Sequence, residues 1–231
     1  KKALGCACAF RVPVPISIFD EHERAVIPAD ASGRTVITKD MRARYLNASS
    51  DEDSRSWHSF AADKWLEDRA DLTGYDEAFR RSERIYHLLM AGRKSEACRA
   101  ISADVYDLMY INDREFLDAL LTVTTPPEKN ILDVLALTCE IAINLADYKV
   151  ARETAERLAG TVVFEGTDKE SRGDCDGYAY LAETYMLRGL KEESDKYVKM
   201  ILDSDSALAK LILADVLIDM KEYDLAAKTI D

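Results

Sequence analysis

The chain has 231 residues, 48% apolar and 32% charged, with 9 glycines and 5 prolines. That composition suits a folded chain of long helices and argues against collagen-like, low-complexity and turn-rich all-β architectures. No run approaches the ~18 uncharged apolar residues of a membrane span, and 31 basic against 43 acidic residues, net −12, disfavour a nucleic-acid surface. The charge is uneven. Residues 1–70 balance at 11 of each sign, while residues 71–231 hold 20 basic and 32 acidic, which points to two domains.

In chain order, residues 1–10 read as the end of a helix, and the short apolar run from Ala3 to Phe10, broken by Gly5, does not make a secretory leader. Pro13 and Pro15 then force extended or turn backbone. Ala25-Val26-Ile27-Pro28 and Thr35-Val36-Ile37-Thr38 flank a turn at Asp30-Ala31-Ser32-Gly33, so a β-hairpin is expected. A helix follows at Asp40–Leu46, and the polar run Asn47–Asp53 serves as loop and cap. From Ser54 the pattern is helical almost throughout. Trp57, Phe60, Ala61, Lys64 and Trp65 keep 3–4 spacing, and Tyr75–Met90 turns Phe79, Ile85, Tyr86 and Leu89 inward before Gly92 closes it. Further helices are expected at Ser95–Leu108, Arg114–Val123, Leu132–Leu145, Lys149–Leu158, Cys175–Leu187, Glu192–Leu202, Ala207–Met220 and Asp224–Asp231, with a loop at Gly160–Gly173.

Residues with chemistry are few. Cysteines at 6, 8, 98, 139 and 175 are odd in number and sparse, so a reducing cytoplasm and buried small side chains fit them better than a disulfide framework. Cys6-Ala7-Cys8 lacks the second ligand pair of a zinc site. His22, His58 and His87 show no metal or general-base spacing, and His58 and His87 read as helix-packing side chains. No catalytic site, metal or cofactor is expected. Residues 24–46 carry a local +3 from Arg24, Arg34, Lys39, Arg42 and Arg44 against Asp30 and Asp40, enough to touch phosphate but without a donor-rich recognition helix.

The second half is self-similar. Leu135-x-x-Thr138-Cys139-x-x-Ala142 with Ala146, Tyr148 and Ala151 matches Tyr178-x-x-Leu181-Ala182-x-x-Tyr185 with Gly189 and Ser194. Both match Lys210-x-x-Leu213-Ala214-x-x-Leu217 with Lys221, Tyr223 and Ala226. The frames lie 43 and 32 residues apart, and a weaker copy runs through Ile85, Leu88, Gly92 and Ala97. Small residues let paired helices cross closely, and such hairpins must stack to bury their faces. The pattern resembles the tetratricopeptide repeat. The order of a wing-like segment at 25–46, the run Trp57–Leu66, and Ile85-Tyr86-His87-Leu88-Leu89 with Ala91, Gly92 and Arg93 is similar to the C-terminal part of prokaryotic, especially archaeal, STAND-type ATPases. There a winged helix links the ATPase domain to helical repeats. The chain has no G-x-x-x-x-G-K-[ST] loop, so the resemblance carries over no nucleotide site.

These readings give a mostly α fold: a partial winged-helix segment with a β-hairpin over residues 1–50, then an α-α superhelix of tetratricopeptide-like hairpins over 51–231. The implied function is a non-enzymatic protein-interaction scaffold or sensor within a larger signalling ATPase, with a DNA-binding regulator as the alternative. The repeat geometry exposes offsets of −6, −3, +1, +4 and +5 from each small residue. They are Asp133, Ala136, Glu140, Ile143 and Asn144 from Cys139, then Asp176, Ala179, Glu183, Met186 and Leu187 from Ala182. From Ala214 they are Leu208, Leu211, Asp215, Ile218 and Asp219. Glu140, Glu183 and Asp215 thus form an acidic row beside apolar Ile143, Met186 and Ile218, with Asn144, Leu187 and Asp219 next to them. The expected ligand is a basic amphipathic protein segment. Leu217, Leu225 and Ile230 form a terminal apolar face through which copies of the chain could associate.

Overall fold

A computed structural model describes residues 2–66, 75–161, 172–204 and 207–230. Most of the expected Gly160–Gly173 loop and the side chains of Cys175 and Leu208 lie outside the described residues. The fold is mostly helical, with thirteen α-helices among the described residues. Their bounds follow the 3.6-residue periodicity closely. The chain divides into two compact units, unit 1 of Lys1–Asp104 with Asp118–Thr124, and unit 2 of Val105–Leu117 with Thr125–Asp231. The first point of division falls at Asp104, where non-helical backbone (φ −127°, ψ 16°) interrupts a helix. Among the described residues no helix is long and apolar enough to cross a membrane.

Unit 1 contains α1 (Lys2–Ala9), α2 (Glu21–Arg24), α3 (Lys39–Asn47), α4 (Asp51–Leu66), α5 (Glu77–Met90) and most of α6 (Lys94–Leu108). α7 (Arg114–Leu121) spans the second point of division. α1 is built of small residues and buries Ala3, Gly5, Cys6, Ala7, Cys8 and Ala9. Gly5 lies flat against the Trp57 indole: a Cβ there would sit 2.2 Å from Trp57 Cε2. Phe10, Phe19, Trp57 and Trp65 complete a core that joins residues 3–27 to α4, with Phe10 meeting Phe19 and Trp65 edge-on at 6.1 Å. Cys6, Cys8 and Cys98 are buried thiols of this unit.

The expected β-hairpin is not seen. The turn forms: Asp30 Oδ1 accepts from the Ser32 and Arg34 N–H groups at 2.9 and 3.0 Å, and Gly33 takes φ +75°. The flanking runs make only isolated antiparallel bridges, Pro15 with Arg34 and Ala29 with Thr35. Prolines explain this. Pro13, Pro15 and Pro28 have no N–H to give a ladder, and Thr35 N–H donates to Val14 O at 2.9 Å, away from the run Ala25–Pro28.

Unit 2 contains α8 (Ile131–Asn144), α9 (Tyr148–Ala159), α10 (Arg172–Leu187), α11 (Lys191–Leu202), α12 (Ala207–Asp219) and α13 (Tyr223–Ile230). They pair as α8–α9, α10–α11 and α12–α13, and α10 also packs on α8, α9 and α12. The three pairs close with the same turn, as does α5–α6 in unit 1. Two residues beyond the first helix the backbone is left-handed, at Gly92 (φ 78°), Ala146 (55°), Gly189 (71°) and Lys221 (63°). The next N–H then reaches back five residues, Arg93 to Leu88, Asp147 to Ala142, Leu190 to Tyr185 and Glu222 to Leu217, all at 2.8–2.9 Å. This is the Schellman closure, which satisfies two carbonyls that a helix end leaves open. The small residues of the sequence frame meet at the crossings. Ser194 Oγ donates to Ala182 O at 3.0 Å and the Cys139 thiol to Ala151 O at 3.8 Å, and Ala214 and Ala226 are buried.

α10 comes close to α9 at Gly177, where a Cβ would lie 2.4 Å from the Ala159 N of α9. Gly177→Ala should therefore lower the stability of unit 2 by about 1–3 kcal/mol through overpacking. Ala146→Gly, which removes a Cβ from a left-handed position, should be neutral or stabilise by up to about 1 kcal/mol. Urea unfolding followed by far-UV circular dichroism checks both. Equal midpoints for the two variants would contradict this packing.

Candidate functional site

Helices α8, α10 and α12 build an acidic cleft within unit 2, with a volume of about 570 Å³. Asp133 and Glu140 on α8 are seven residues apart, as are Asp176 and Glu183 on α10, and Asp215 and Asp219 on α12 are four apart. Each spacing returns to one helix face, and all six carboxylates line the cleft. The remaining wall is apolar and aromatic: Val105, Met109, Ala136 and Val216, with Tyr106, Tyr110 and Tyr180. Tyr106 and Tyr110 are largely exposed and Tyr180 is buried.

The charges alter one another. Burial pushes the Glu140 carboxyl up to about 7; the Tyr180 hydroxyl, donating to it, works in the opposite sense, and Asp219 and Asp215 push it further up. Burial pushes Glu183 up to about 8, helped by the negative charges of Glu140, Asp219 and Asp215. Burial also raises the Tyr180 hydroxyl and the Cys139 thiol well above their usual ranges. Near neutral pH the two glutamates thus hold protons that exposed carboxyls would have lost. The carboxylates are spread along the cleft: among the described residues no three His, Cys, Asp or Glu side chains group to hold a metal ion.

The structure places Glu140, Glu183, Asp215 and Asp219 together on the cleft wall, with Asp133, Ala136 and Asp176 from the same set of offsets. The apolar row does not stand beside them. Ile143 is buried, Met186 packs on the cluster of Ala179, Ala182, Leu213 and Leu217, and Ile218 and Leu187 are exposed but do not line the cleft. Asn144 Nδ2 donates to Met109 O at 2.8 Å, tying α8 to the residues that follow α6. Leu211 is exposed and Ala179 is buried, both outside the lining. Val105, Tyr106, Met109, Tyr110, Tyr180 and Val216 are the lining residues that the repeat frame did not single out. Tyr106 and Tyr110 lie upstream of the first frame, Tyr106 on α6 and Tyr110 two residues beyond its end, where no spacing of the repeats reaches them.

The raised carboxyls have a consequence for stability. In the unfolded chain these glutamates ionise near 4.5, whereas in the fold Glu140 and Glu183 keep their protons to about 7 and 8. The stability they contribute is complete below pH 4.5 and is lost as pH rises through 7 and 8. Unit 2 should lose up to about 6 kcal/mol between pH 5 and pH 8.5, and Glu140→Gln with Glu183→Gln should flatten that loss. Both tryptophans, Trp57 and Trp65, lie in unit 1. The transition of unit 2 is therefore the part of the circular dichroism change that tryptophan fluorescence does not follow. A pH-independent transition there would refute the assignment. Comparison with protein-family models, with curated proteins and with solved structures finds no match to this chain.

Proposed function

We propose that the chain is a non-enzymatic protein-interaction module, a scaffold or sensor, whose acidic cleft takes a basic amphipathic segment of another protein. One observation carries this reading: six carboxylates from α8, α10 and α12 converge on one cleft that also offers apolar and tyrosine surface. Lysine or arginine side chains answer the carboxylates, guanidinium groups can also stack on Tyr106 and Tyr110, and an apolar side chain fits Val105, Met109 and Val216. The reading treats α8–α13 as tetratricopeptide-like hairpins stacked in a superhelix. It is supported by the common Schellman turns and small-residue crossings. Membership of the C-terminal part of a STAND-type signalling ATPase rests on the order of segments in the sequence alone. The buried thiols Cys6, Cys8, Cys98 and Cys139 suit a reducing cytoplasm. Of the expected terminal apolar face, Leu217 is buried and Leu225 packs on the same cluster, because both face the crossing of α12 with α13; Ile230, with Ile218 and Tyr223, is exposed and suits association of copies.

The DNA-binding alternative has less support. Three cations of the wing-like segment are engaged within the fold: Arg24 donates to Phe19 O at 2.7 Å, Arg34 to Pro13 O at 3.1 Å and Arg42 to the Tyr86 hydroxyl at 3.1 Å. A salt-dependent mobility shift of duplex DNA would favour it.

Peptide binding tests the main reading. A labelled amphipathic peptide rich in Lys and Arg should bind and an acidic peptide of equal length should not. Glu140→Lys, Glu183→Lys and Asp215→Lys together should abolish the binding. A cation needs ionised carboxylates, so affinity should rise with pH from 6 to 8.5, by up to about tenfold per pH unit for each proton displaced. Equal binding of both peptides, or no change in the triple variant, would reduce the row to a solvated face.

A further inference from the structure

We propose that the buried histidine pair His58–His87 in unit 1 is a proton-operated latch between α4 and α5, closed when both rings are neutral and opened by taking up protons. His58 Nδ1 and His87 Nδ1 face each other at 2.9 Å, on α4 and α5, and both rings are buried. At that distance one nitrogen must carry a hydrogen and the other must offer a lone pair. His87 Nε2 lies 3.7 Å from Glu83 Oε2, so the arrangement that suits every partner has His58 donating to His87 and the His87 Nε2–H turned toward Glu83. Two protonated rings would set N–H against N–H, which this spacing does not admit.

The charged groups facing the pair come from each neighbouring element. Arg11, beyond α1, pairs with Glu83 of α5 and lies over the Tyr86 ring at 4.1 Å. Arg42 of α3 reaches the Tyr86 hydroxyl. The Phe10 ring packs edge-on against His87 at 5.8 Å and the Tyr86 ring lies 6.0 Å from His58. Glu83 would welcome a protonated ring, but Arg11 already answers it, and Arg42 adds a second positive charge. Burial, then Arg42 and Arg11, hold His58 down at about 4, and burial, then His58, Arg11 and Arg42, hold His87 well below the usual histidine range. Once the rings separate into water both regain ordinary basicity near 6.5. The folded-state values are depressed, so the latch is fully closed above about pH 6.5 and weakens as pH falls toward 4. Each histidine then favours opening by up to tenfold per pH unit.

Trp57 and Trp65 sit in α4, so urea unfolding read by tryptophan fluorescence reports this unit. In the intact chain the unfolding constant should rise as pH falls from 6.5 to 5, with a slope approaching a hundredfold per pH unit. His58→Gln or His87→Gln should reduce that slope to about tenfold, and His58→Leu with His87→Phe should remove the histidine contribution. Nitrogen NMR of the imidazoles in the unaltered protein keeps the test decisive should a variant fail to fold. At pH 6 both rings should be neutral and share one Nδ1–H. Protonated rings in the folded protein at pH 6, or an unchanged slope in the double variant, would overturn the latch.

Discussion

Two α-helices come close only where the side chains between them are small, and unit 2 depends on that restriction. Where Ala182 meets Ser194, the carbonyl of the first helix accepts from the hydroxyl of the second at 3.0 Å; where Cys139 meets Ala151, the direction reverses and the first helix's thiol donates to the second helix's carbonyl. Fixing the crossing at these residues fixes the rotation of each helix about its own axis. At about 100° per residue, the next position always turns to the same side. Glu140, Glu183 and Asp215 are those next positions, so their line along the cleft follows from the crossing. The left-handed turn residues set the other boundary condition. With the small residue seven positions before the turn and its partner five after, every hairpin repeats one geometry, although the turn is filled by Gly, Ala or Lys.

The same rotation accounts for what the repeat frame placed correctly and what it did not. Relative to the crossing, offset −3 lies at about 60°, +1 at about 100° and −6 at about 120°, and these positions supply most of the carboxylates and Ala136. Offset +4 lies only about 40° from the crossing. Ile143 is accordingly buried and Met186 joins the packing between helices instead of facing the cleft. Most helices were legible because buried residues recur at the helical period and because Gly92 and Gly189 mark their ends. The hairpin was misread because β-branched residues around Ser32-Gly33 outweighed the prolines that deny the ladder its donors. The tyrosines at 106 and 110 come from outside the repeats, and no repeat argument reaches them. His58 and His87 are 29 residues apart on separate helices. Their apolar neighbours foretold burial, but nothing in the spacing foretold a mutual hydrogen bond.

Burial of ionisable groups gives the two units opposite relations to protons. In unit 1 it is neutral histidine that suits the interior, with Arg11 and Arg42 adding to the penalty on its charged form. In unit 2 burial and crowding favour neutral carboxyls. Acidification weakens the first arrangement and relieves the second, so a single pH change moves the two stabilities in opposite directions. The uneven charge of the sequence has its physical expression here: the acidic residues of the second half include a set that the fold holds together against their repulsion.

That repulsion bears on what the cleft is suited to hold. An exposed ion pair contributes only about 0–1 kcal/mol, because both partners surrender hydration to meet. Glu140 and Glu183 have already lost part of their hydration in the fold, as their raised carboxyls show. A cation entering the cleft therefore desolvates mainly itself, and it also lowers the repulsion among Glu140, Glu183, Asp215 and Asp219. Stability forgone in folding is returned as affinity, the ordinary result of preorganisation. A neutral ligand relieves nothing, and a small cation leaves the apolar wall of Val105, Met109 and Val216 in water. A side chain with a cationic end and an apolar stem, lysine or arginine within an amphipathic segment, satisfies both surfaces at once.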